Sequence, residues 1–171
     1  GDWSSDVCSS DLVSIVTPVY NSAEFIERTI DSVQAQSYTN WEWVFVDDCS
    51  SDNSVNIIAQ YQKDDSRIKL FKNRNNIGSG PTRNKAIEES KGKYIAFLDS
   101  DDIWVKDKLL LQVKFMHDNN YAFTHTSYGF IDEDDNIINA TFHVSDKPVT
   151  YTMLLERTEI SCLTAMYDVE Q

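Results

Sequence analysis

Apolar and amphipathic segments alternate along most of this chain. Four apolar segments are strand-sized and rich in β-branched or aromatic residues, which predicts buried strands at 12–19, 41–46, 68–71 and 94–98. The segments between them carry apolar residues at helical spacing, as Ile26, Ile30 and Val33 do at positions i, i+4 and i+7. Strands separated by such helices are typical of βαβ units. The pattern therefore predicts an α/β fold with a mainly parallel sheet and helices on both faces.

Local signals predict where the helices begin and which faces they bury. Asn21, followed three residues later by Glu24, resembles a helix N-cap with its reciprocal acid. Pro81 stands where a third helix could begin, because proline is tolerated at the start of a helix. Further apolar faces are predicted at Val55, Ile58 and Ala59 and at Leu109, Val113 and Met116. After Tyr121 the pattern changes to shorter strands, with a hairpin turn predicted at 132–136.

The two ends of the chain differ from the segment between them. Residues 1–12 have neither the basic nor the apolar region of a signal peptide and resemble translated sequencing-adapter sequence. We therefore expect a non-native or disordered leader over 1–12 and a single domain over 13–171. Because the sequence stops at Gln171 just after the strand-like stretch 160–167, we expect this domain to be incomplete at its C-terminus.

Composition narrows the possible partners. The length of 171 residues suits one domain, and 15 basic against 28 acidic side chains give a formal net charge of −13. Such a surface repels phosphate backbones and anionic lipid, which disfavours non-specific binding to nucleic acid or membranes. No apolar run approaches the roughly 20 residues that a membrane span requires. Cys8, Cys49 and Cys162 lack the spacing of a metal site or disulfide framework, which favours a reducing compartment such as the cytoplasm.

Two acidic clusters directly follow predicted buried strands, at Asp47 and Asp48 and at 99–102. Ligands of parallel sheets bind beyond the carboxyl ends of the strands, so these carboxylates are candidates for a binding site. In extended geometry, Asp99 and Asp101 would share a face and could hold a hard divalent cation such as Mg²⁺ or Mn²⁺. Asp48 is better suited to accept hydrogen bonds from a base or a sugar. A cation would also let so acidic a protein hold an anionic diphosphate.

Four motifs resemble those of family-2 glycosyltransferases, whose catalytic domain has the Rossmann-like GT-A fold. They lie in the family's order at residues 13–21, at 46–52, at 76–78 with 83–84, and at 99–102. The resemblance extends over roughly residues 13–167. It implies transfer of a sugar, with inversion and with a divalent cation, from a nucleoside-diphosphate sugar that is UDP-linked. The implied acceptor is a hydroxyl of a saccharide or of a lipid-linked molecule, as in cell-surface polysaccharide synthesis.

The resemblance also implies roles for residues that would bind the nucleoside. Pro18 and Tyr20 are similar to the wall of the nucleobase pocket, with Tyr20 against the ring. Asp48 is similar to the residue that accepts a hydrogen bond from the ring N–H of the base. Asn76 and Arg83 are similar to further polar partners, and Arg83 would also place positive charge near the diphosphate.

The implied chemistry is centred on the last motif. Asp99 is similar to the family's aspartate near the ribose and the cation, and Asp101 to the metal ligand itself. In the family's mechanism a separate carboxylate acts as general base on the acceptor hydroxyl. That base belongs to an acidic motif that we expect beyond Gln171, because Asp168 and Glu170 lack its sequence context. This chain alone is therefore expected to be inactive, and a longer parent protein could be peripheral to a membrane.

Two other functions are compatible with parts of the sequence. A phosphotransfer receiver domain is also an acidic parallel-sheet protein, but its acidic pair would follow the first strand, where this chain has residues 18–21, Pro-Val-Tyr-Asn. A non-catalytic fragment that binds a nucleotide sugar fits the sequence as well as an enzyme does. A transfer assay beside a binding assay with UDP and Mn²⁺ separates these two.

Overall fold

The computed structural model describes residues 11–132, 136–138, 141–144, 149–150, 152 and 160–171. Its elements, in chain order, are β1 (Val13–Val19), α1 (Ile26–Gln34), β2 (Trp41–Asp47), α2 (Ser54–Asp64), β3 (Ile68–Lys72), α3 (Ser79–Glu88), β4 (Tyr94–Phe97), α4 (Lys108–Asn119), β5 (Phe123–Thr124), a 3₁₀ turn (Cys162–Thr164) and β6 (Met166–Asp168).

The strands form one six-stranded sheet in the order β3-β2-β1-β4-β6-β5. The first four strands in this order run parallel, and β6 runs antiparallel to both of its neighbours. Val19 of β1 lies opposite Asp47 of β2, so the carboxyl ends of these strands meet at one edge. The predicted α/β fold with a mainly parallel sheet is confirmed.

The helices cover both faces of the sheet because β1 alternates its side chains between two apolar clusters. Ile15 belongs to the larger cluster, which contains the buried faces of α1, α2 and α4. Val16 belongs to the smaller cluster, where it lies with Val44 and with Ala86 of α3. Because successive side chains of a strand point to opposite faces of the sheet, α3 packs on one face and the other three helices pack on the other.

One local prediction about the helices is wrong, and the structure bears out another only in part. Asn21 does not cap α1, which begins at Ile26; instead Asn21 has φ 51°, and its Oδ1 accepts a hydrogen bond from Ser51 N at 2.8 Å. Asparagine tolerates the left-handed region, so here it joins two loops. In α2 the most buried apolar residues are Ile57 and Ile58, while Val55 and Ala59 are only half-buried. Pro81 lies in the first turn of α3, close to the predicted start.

The predicted leader lies mostly outside the described residues, which begin at Asp11. Asp11 itself forms an ion pair with Lys93 at 3.0 Å, and the Leu12 carbonyl accepts a hydrogen bond from Tyr94 N at 3.2 Å. Both residues are therefore packed against the domain. The centre of the predicted hairpin turn also lies outside the described residues, but the antiparallel bridge between Ile131 and Ile137 shows that the chain reverses there. None of the helices in the described segments is long and apolar enough to cross a membrane.

Candidate functional site

A cavity of about 440 Å³ lies at the carboxyl ends of β1, β2 and β4, beside the start of α3. Its lining includes all seven residues that the sequence singled out: Pro18, Tyr20, Asp48, Asn76, Arg83, Asp99 and Asp101. These residues come from four separate parts of the chain. The parallel sheet brings them together because it places the ends of these strands along one edge.

Asp48 is the most enclosed carboxylate of this cavity, with 3% of its surface exposed. It accepts hydrogen bonds from Asn73 Nδ2 at 2.9 Å, from Ile77 N at 2.9 Å and from Gly78 N at 2.8 Å. Burial raises the pKa of Asp48, but these donors together lower it below its ordinary value. The ionised side chain thus holds the loop 73–78 in place, a structural task that the sequence did not reveal.

The loop held by Asp48 ends at the N-terminus of α3, which faces the cavity. Gly78 caps this helix with φ 87°, a conformation that side chains other than glycine rarely adopt, and its carbonyl accepts from Thr82 N at 3.2 Å. Gly78 and Ser79 both line the cavity. Free N–H groups and the helix dipole make such a terminus favourable for an anion. In the sequence, Gly78 belonged to the motif at 76–78 without a role of its own, and Ser79 was not singled out.

Arg83 donates a hydrogen bond from Nη2 to Asp99 Oδ1 at 2.7 Å, across the cavity wall from α3 to the end of β4. Burial alone would lower the pKa of Arg83, but the bond to Asp99 raises it above its ordinary value. The positive charge of Arg83 therefore offsets the negative charge of Asp99. Asp101 is left as the exposed carboxylate of the cavity.

The acidic motif forms a turn and not the extended segment that the sequence suggested. Asp102 N donates to the Asp99 carbonyl at 3.2 Å, so the chain reverses after β4. The prediction that Asp99 and Asp101 share a face because the chain is extended is therefore wrong. Both line the same cavity nevertheless. Burial, with the charges of Asp101 and Asp99, raises the pKa of Asp102 to about 6.

The donor set of this turn fits a hard cation, but only in part. Carboxylate oxygens suit Mg²⁺ or Mn²⁺, and the crowded negative charge would be relieved by a cation. However, the described residues contain no group of three or more His, Cys, Asp or Glu side chains arranged to hold a metal. A cation here would therefore need further ligands from substrate phosphate and water, an arrangement that Mg²⁺ commonly adopts.

Buried hydroxyl groups hold the acidic turn against the sheet and α1. Ser22 Oγ and Ser100 Oγ lie 2.6 Å apart, and Thr29 Oγ1 donates to the Ser100 carbonyl at 3.1 Å. Thr17 Oγ1 donates to the Leu98 carbonyl at 2.6 Å and accepts from a tryptophan ring N–H. Sequence reasoning missed these residues. For Thr17 and Thr29 the signal was a polar residue at a position where the strand or helix pattern required an apolar one.

Cys162 lies at the margin of the site, although no motif assigned a role to it. Its Sγ is 3.8 Å from Asp99 Oδ1. Burial, with the charge of Asp99, raises the pKa of the Cys162 thiol to about 11, so the thiol is protonated at neutral pH. Asp168, by contrast, pairs with Tyr94 at the amino end of β4, the end opposite to Asp99.

A second cavity, of about 560 Å³, adjoins the first through Asp101, which lines both. Its other walls come from the start of α1, from Ile103 after the acidic turn and from the hairpin segment around Ile131 and Ile138. No motif in the sequence pointed to this cavity, because its walls are mostly isolated apolar side chains.

Comparison with known proteins relates this chain to glycosyltransferases. Residues 14–167 match the family model described as glycosyl transferase family 2. The chain is 44% identical over 160 residues to TuaG of Bacillus subtilis (strain 168), named as a glycosyltransferase of teichuronic acid biosynthesis; the match covers 94% of this chain and 63% of TuaG. It is 42% identical over 157 residues to WfgD of Escherichia coli, a UDP-Glc:α-D-GlcNAc-diphosphoundecaprenol β-1,3-glucosyltransferase, covering 92% of this chain and 60% of WfgD.

Solved structures show the same architecture. S. aureus TarS 1–349 superposes with a TM-score of 0.75 at 25% identity, covering 91% of this chain and 46% of TarS 1–349. The mannosyltransferase PcManGT from Pyrobaculum calidifontis, in complex with GDP-Man and Mn²⁺, gives a TM-score of 0.69 over 92% of this chain and 44% of its own. At 20% identity this second likeness concerns the fold alone. The predicted GT-A fold is confirmed.

Proposed function

Since this chain belongs to glycosyl transferase family 2, we propose that its cavity binds a UDP-linked sugar together with Mn²⁺ or Mg²⁺. In the whole protein, the sugar would pass with inversion to a hydroxyl of a saccharide or lipid-linked acceptor. The observation that carries the proposal is the convergence of an aromatic side chain, a helix N-terminus and carboxylates in one cavity. WfgD, whose name specifies UDP-Glc as donor, supports the choice of a uridine nucleotide.

The cysteines Cys49 and Cys162 are free thiols, which suits a location in the cytoplasm.

The nucleoside would occupy the part of the cavity near β1 and β2. Tyr20 is 55% exposed at the end of β1 and offers a ring face for a base, with Pro18 beside it. Asn76 is exposed on the loop and supplies a polar partner. Asp48 would act by holding that loop as well as by facing the base, since its oxygens already accept three protein N–H groups.

The diphosphate would lie between the start of α3 and the acidic turn. The N-terminus of α3 at Ser79 and the guanidinium of Arg83 favour negative charge there. Asp99 orients Arg83, and Asp101 with Asp99 would hold the cation. A cation bound there would supply stabilisation of the charge that develops on the leaving diphosphate.

We assign no general base within the described residues. Asp168 lies at the opposite end of β4 from the cavity, and its Oδ1 accepts a hydrogen bond from Glu170 N at 2.8 Å. The chain also spans about 60% of the length of the two curated relatives named above. A second candidate function is that these 171 residues bind the donor without transferring its sugar, and the position of Asp168 away from the cavity supports it.

Calorimetric titration of UDP tests the proposal. We expect UDP to bind the wild-type chain more tightly with Mn²⁺ than with a chelator, and Asp101→Asn to remove that difference. Asp107→Asn is the matched control, because Asp107 is exposed and lies outside the cavity lining. Absence of UDP binding under both conditions would contradict the proposed function, and an equal response to Mn²⁺ in Asp101→Asn would contradict the metal assignment.

A further inference from the structure

Asn21 connects the loop that follows β1 to the loop that follows β2. Its backbone has φ 51°, in the left-handed region, although it is not a glycine. Its Oδ1 accepts a hydrogen bond from Ser51 N at 2.8 Å, and its own N–H donates to Ser50 Oγ at 3.0 Å. Asn21 therefore holds the second loop through both its main chain and its side chain.

The two residues after Asn21 continue this contact between the loops. Ser22 N donates to Ser54 Oγ at 2.7 Å, and Ala23 N donates to Asp52 Oδ2 at 2.9 Å. Three consecutive residues of the first loop are thus bonded to side chains of the second. The loops cannot shift relative to each other without breaking several hydrogen bonds, so they form one preformed unit.

This unit carries the two side chains at the nucleoside end of the first cavity. Tyr20, which lines that cavity, directly precedes Asn21, so the left-handed turn at Asn21 fixes the direction in which the chain leaves Tyr20. Asp48 lines the same cavity at the start of the second loop, where its N–H donates to the Val19 carbonyl at 2.8 Å. Asn21 itself stands outside the described lining of the cavity.

We propose that Asn21 is a positioning residue for the nucleoside, which holds Tyr20 and Asp48 at the separation that one base requires. This inference rests on the proposed function, because that function places the base beside these two side chains. A preformed site binds its ligand more tightly, since the loops need not be ordered on binding. None of the hydrogen bonds described above involves α3 or Arg83, so the affinity for the diphosphate should not depend on Asn21.

The test compares the dissociation constants of UDP and inorganic pyrophosphate, both with Mn²⁺, by titration calorimetry. Asn21→Gly keeps the left-handed backbone accessible and removes the acceptor of Ser51 N. Asn21→Asp keeps both the acceptor and the tolerance of this conformation. Asn120→Gly is the matched control, because Asn120 also has a left-handed backbone, with φ 54°, but lies exposed at the end of α4, outside the described lining of both cavities.

We expect Asn21→Gly to weaken UDP binding roughly three- to tenfold, the size of the net contribution of one hydrogen bond. Its affinity for pyrophosphate should stay unchanged, and Asn21→Asp should bind UDP like the wild type. Ser50→Ala, which removes the acceptor of the Asn21 N–H, should weaken UDP in the same way and provides a second variant if Asn21→Gly folds poorly. Thermal unfolding of each protein monitors folding.

The outcomes distinguish this inference from the proposed function. If UDP binds the wild type and both Asn21→Gly and Ser50→Ala keep its affinity, the positioning role is overturned and the proposed function stands. The role is equally overturned if Asn21→Asp or Asn120→Gly loses as much UDP affinity as Asn21→Gly, or if pyrophosphate binding falls by the same factor as UDP binding. If UDP does not bind the wild-type chain, both fail.

Discussion

Arg83 and Asp99 form an ion pair that joins α3 to the end of β4, with Nη2 and Oδ1 2.7 Å apart. The pair controls which charges face the cavity, because it offsets the carboxylate of Asp99 and leaves Asp101 exposed. It also fixes the direction of the guanidinium, whose Nε is buried and has no hydrogen-bond partner among the residues that the structure describes. If Asp99 acts by orienting Arg83, the effects of substituting the two residues are not additive in a double-mutant cycle.

We expect Arg83→Gln to weaken UDP binding by about 1.5–3 kcal/mol, the contribution of a hydrogen bond to a charged group. Asp99→Asn should weaken binding less, because Arg83 keeps its charge but loses its orientation. The double variant should bind UDP as weakly as Arg83→Gln alone. Titration calorimetry with a chelator present measures all four proteins without the contribution of the cation. Additive effects would show that Asp99 and Arg83 contact the nucleotide independently.

The sequence predicted the strands and the place of the site because both depend on short-range patterns. Buried parallel strands are nearly continuous apolar runs, and the topology then places their carboxyl ends at one edge. The partners of the site side chains depend on packing instead. The contact of Arg83 with Asp99 requires the position of α3 against the sheet, and the contact of Asn21 with Ser51 requires two loops to meet. Neither contact can be predicted from a local sequence motif.

Asp48 provides a prediction about stability. Asp48→Ala would leave the part-buried donors of Asn73, Ile77 and Gly78 without their acceptor, so we expect the free energy of unfolding to fall by about 1–3 kcal/mol. Urea unfolding followed by tryptophan fluorescence measures the change. Asp64→Ala is the matched control, because Asp64 is exposed at the end of α2 and should leave stability unchanged.

The same carboxylate predicts a response to acid. The pKa of Asp48 is lower in the folded chain than the value of about 3.9 in an unfolded one. Its stabilisation is therefore fully present above about pH 4 and is lost as pH falls through the lower folded pKa. Urea titrations between about pH 5 and pH 2 should show a steeper loss of stability for the wild type than for Asp48→Ala. Parallel curves would contradict this assignment.

A substitution at Gly92 tests how closely the segment before β4 packs against β1. A Cβ atom at Gly92 would lie 2.6 Å from Ser14 N and 2.7 Å from the Leu12 carbonyl oxygen, both backbone atoms that cannot move aside easily. We expect Gly92→Ala to destabilise the chain by about 1–3 kcal/mol, as overpacking does. Gly80→Ala is the control: no atom lies within 4 Å of its Cβ, and in α3 it should stabilise by about 0.4–1 kcal/mol.

Lys108 is the clearest candidate for a buried group whose protonation opposes folding. It is 6% exposed at the start of α4, and its Nζ lies 3.8 Å from the centroid of the Trp104 ring, with no hydrogen-bond partner in the described part of the chain. Burial lowers the pKa of Lys108 to about 7, while the ring attracts the ammonium and compensates part of this effect. The unfolded chain, with a lysine pKa of about 10.4, therefore binds more protons than the folded chain between these two values. Stability should consequently rise as pH increases from about 7 toward 10.

Lys108→Met keeps the length of the side chain and removes the charge, so it should raise stability at pH 7 and flatten this rise. Urea unfolding at pH 7, 8 and 9 measures both effects, with Lys63→Met on the exposed surface of α2 as control. If Lys108→Met were less stable than the wild type at pH 7, the attraction of the Trp104 ring would outweigh the cost of burial.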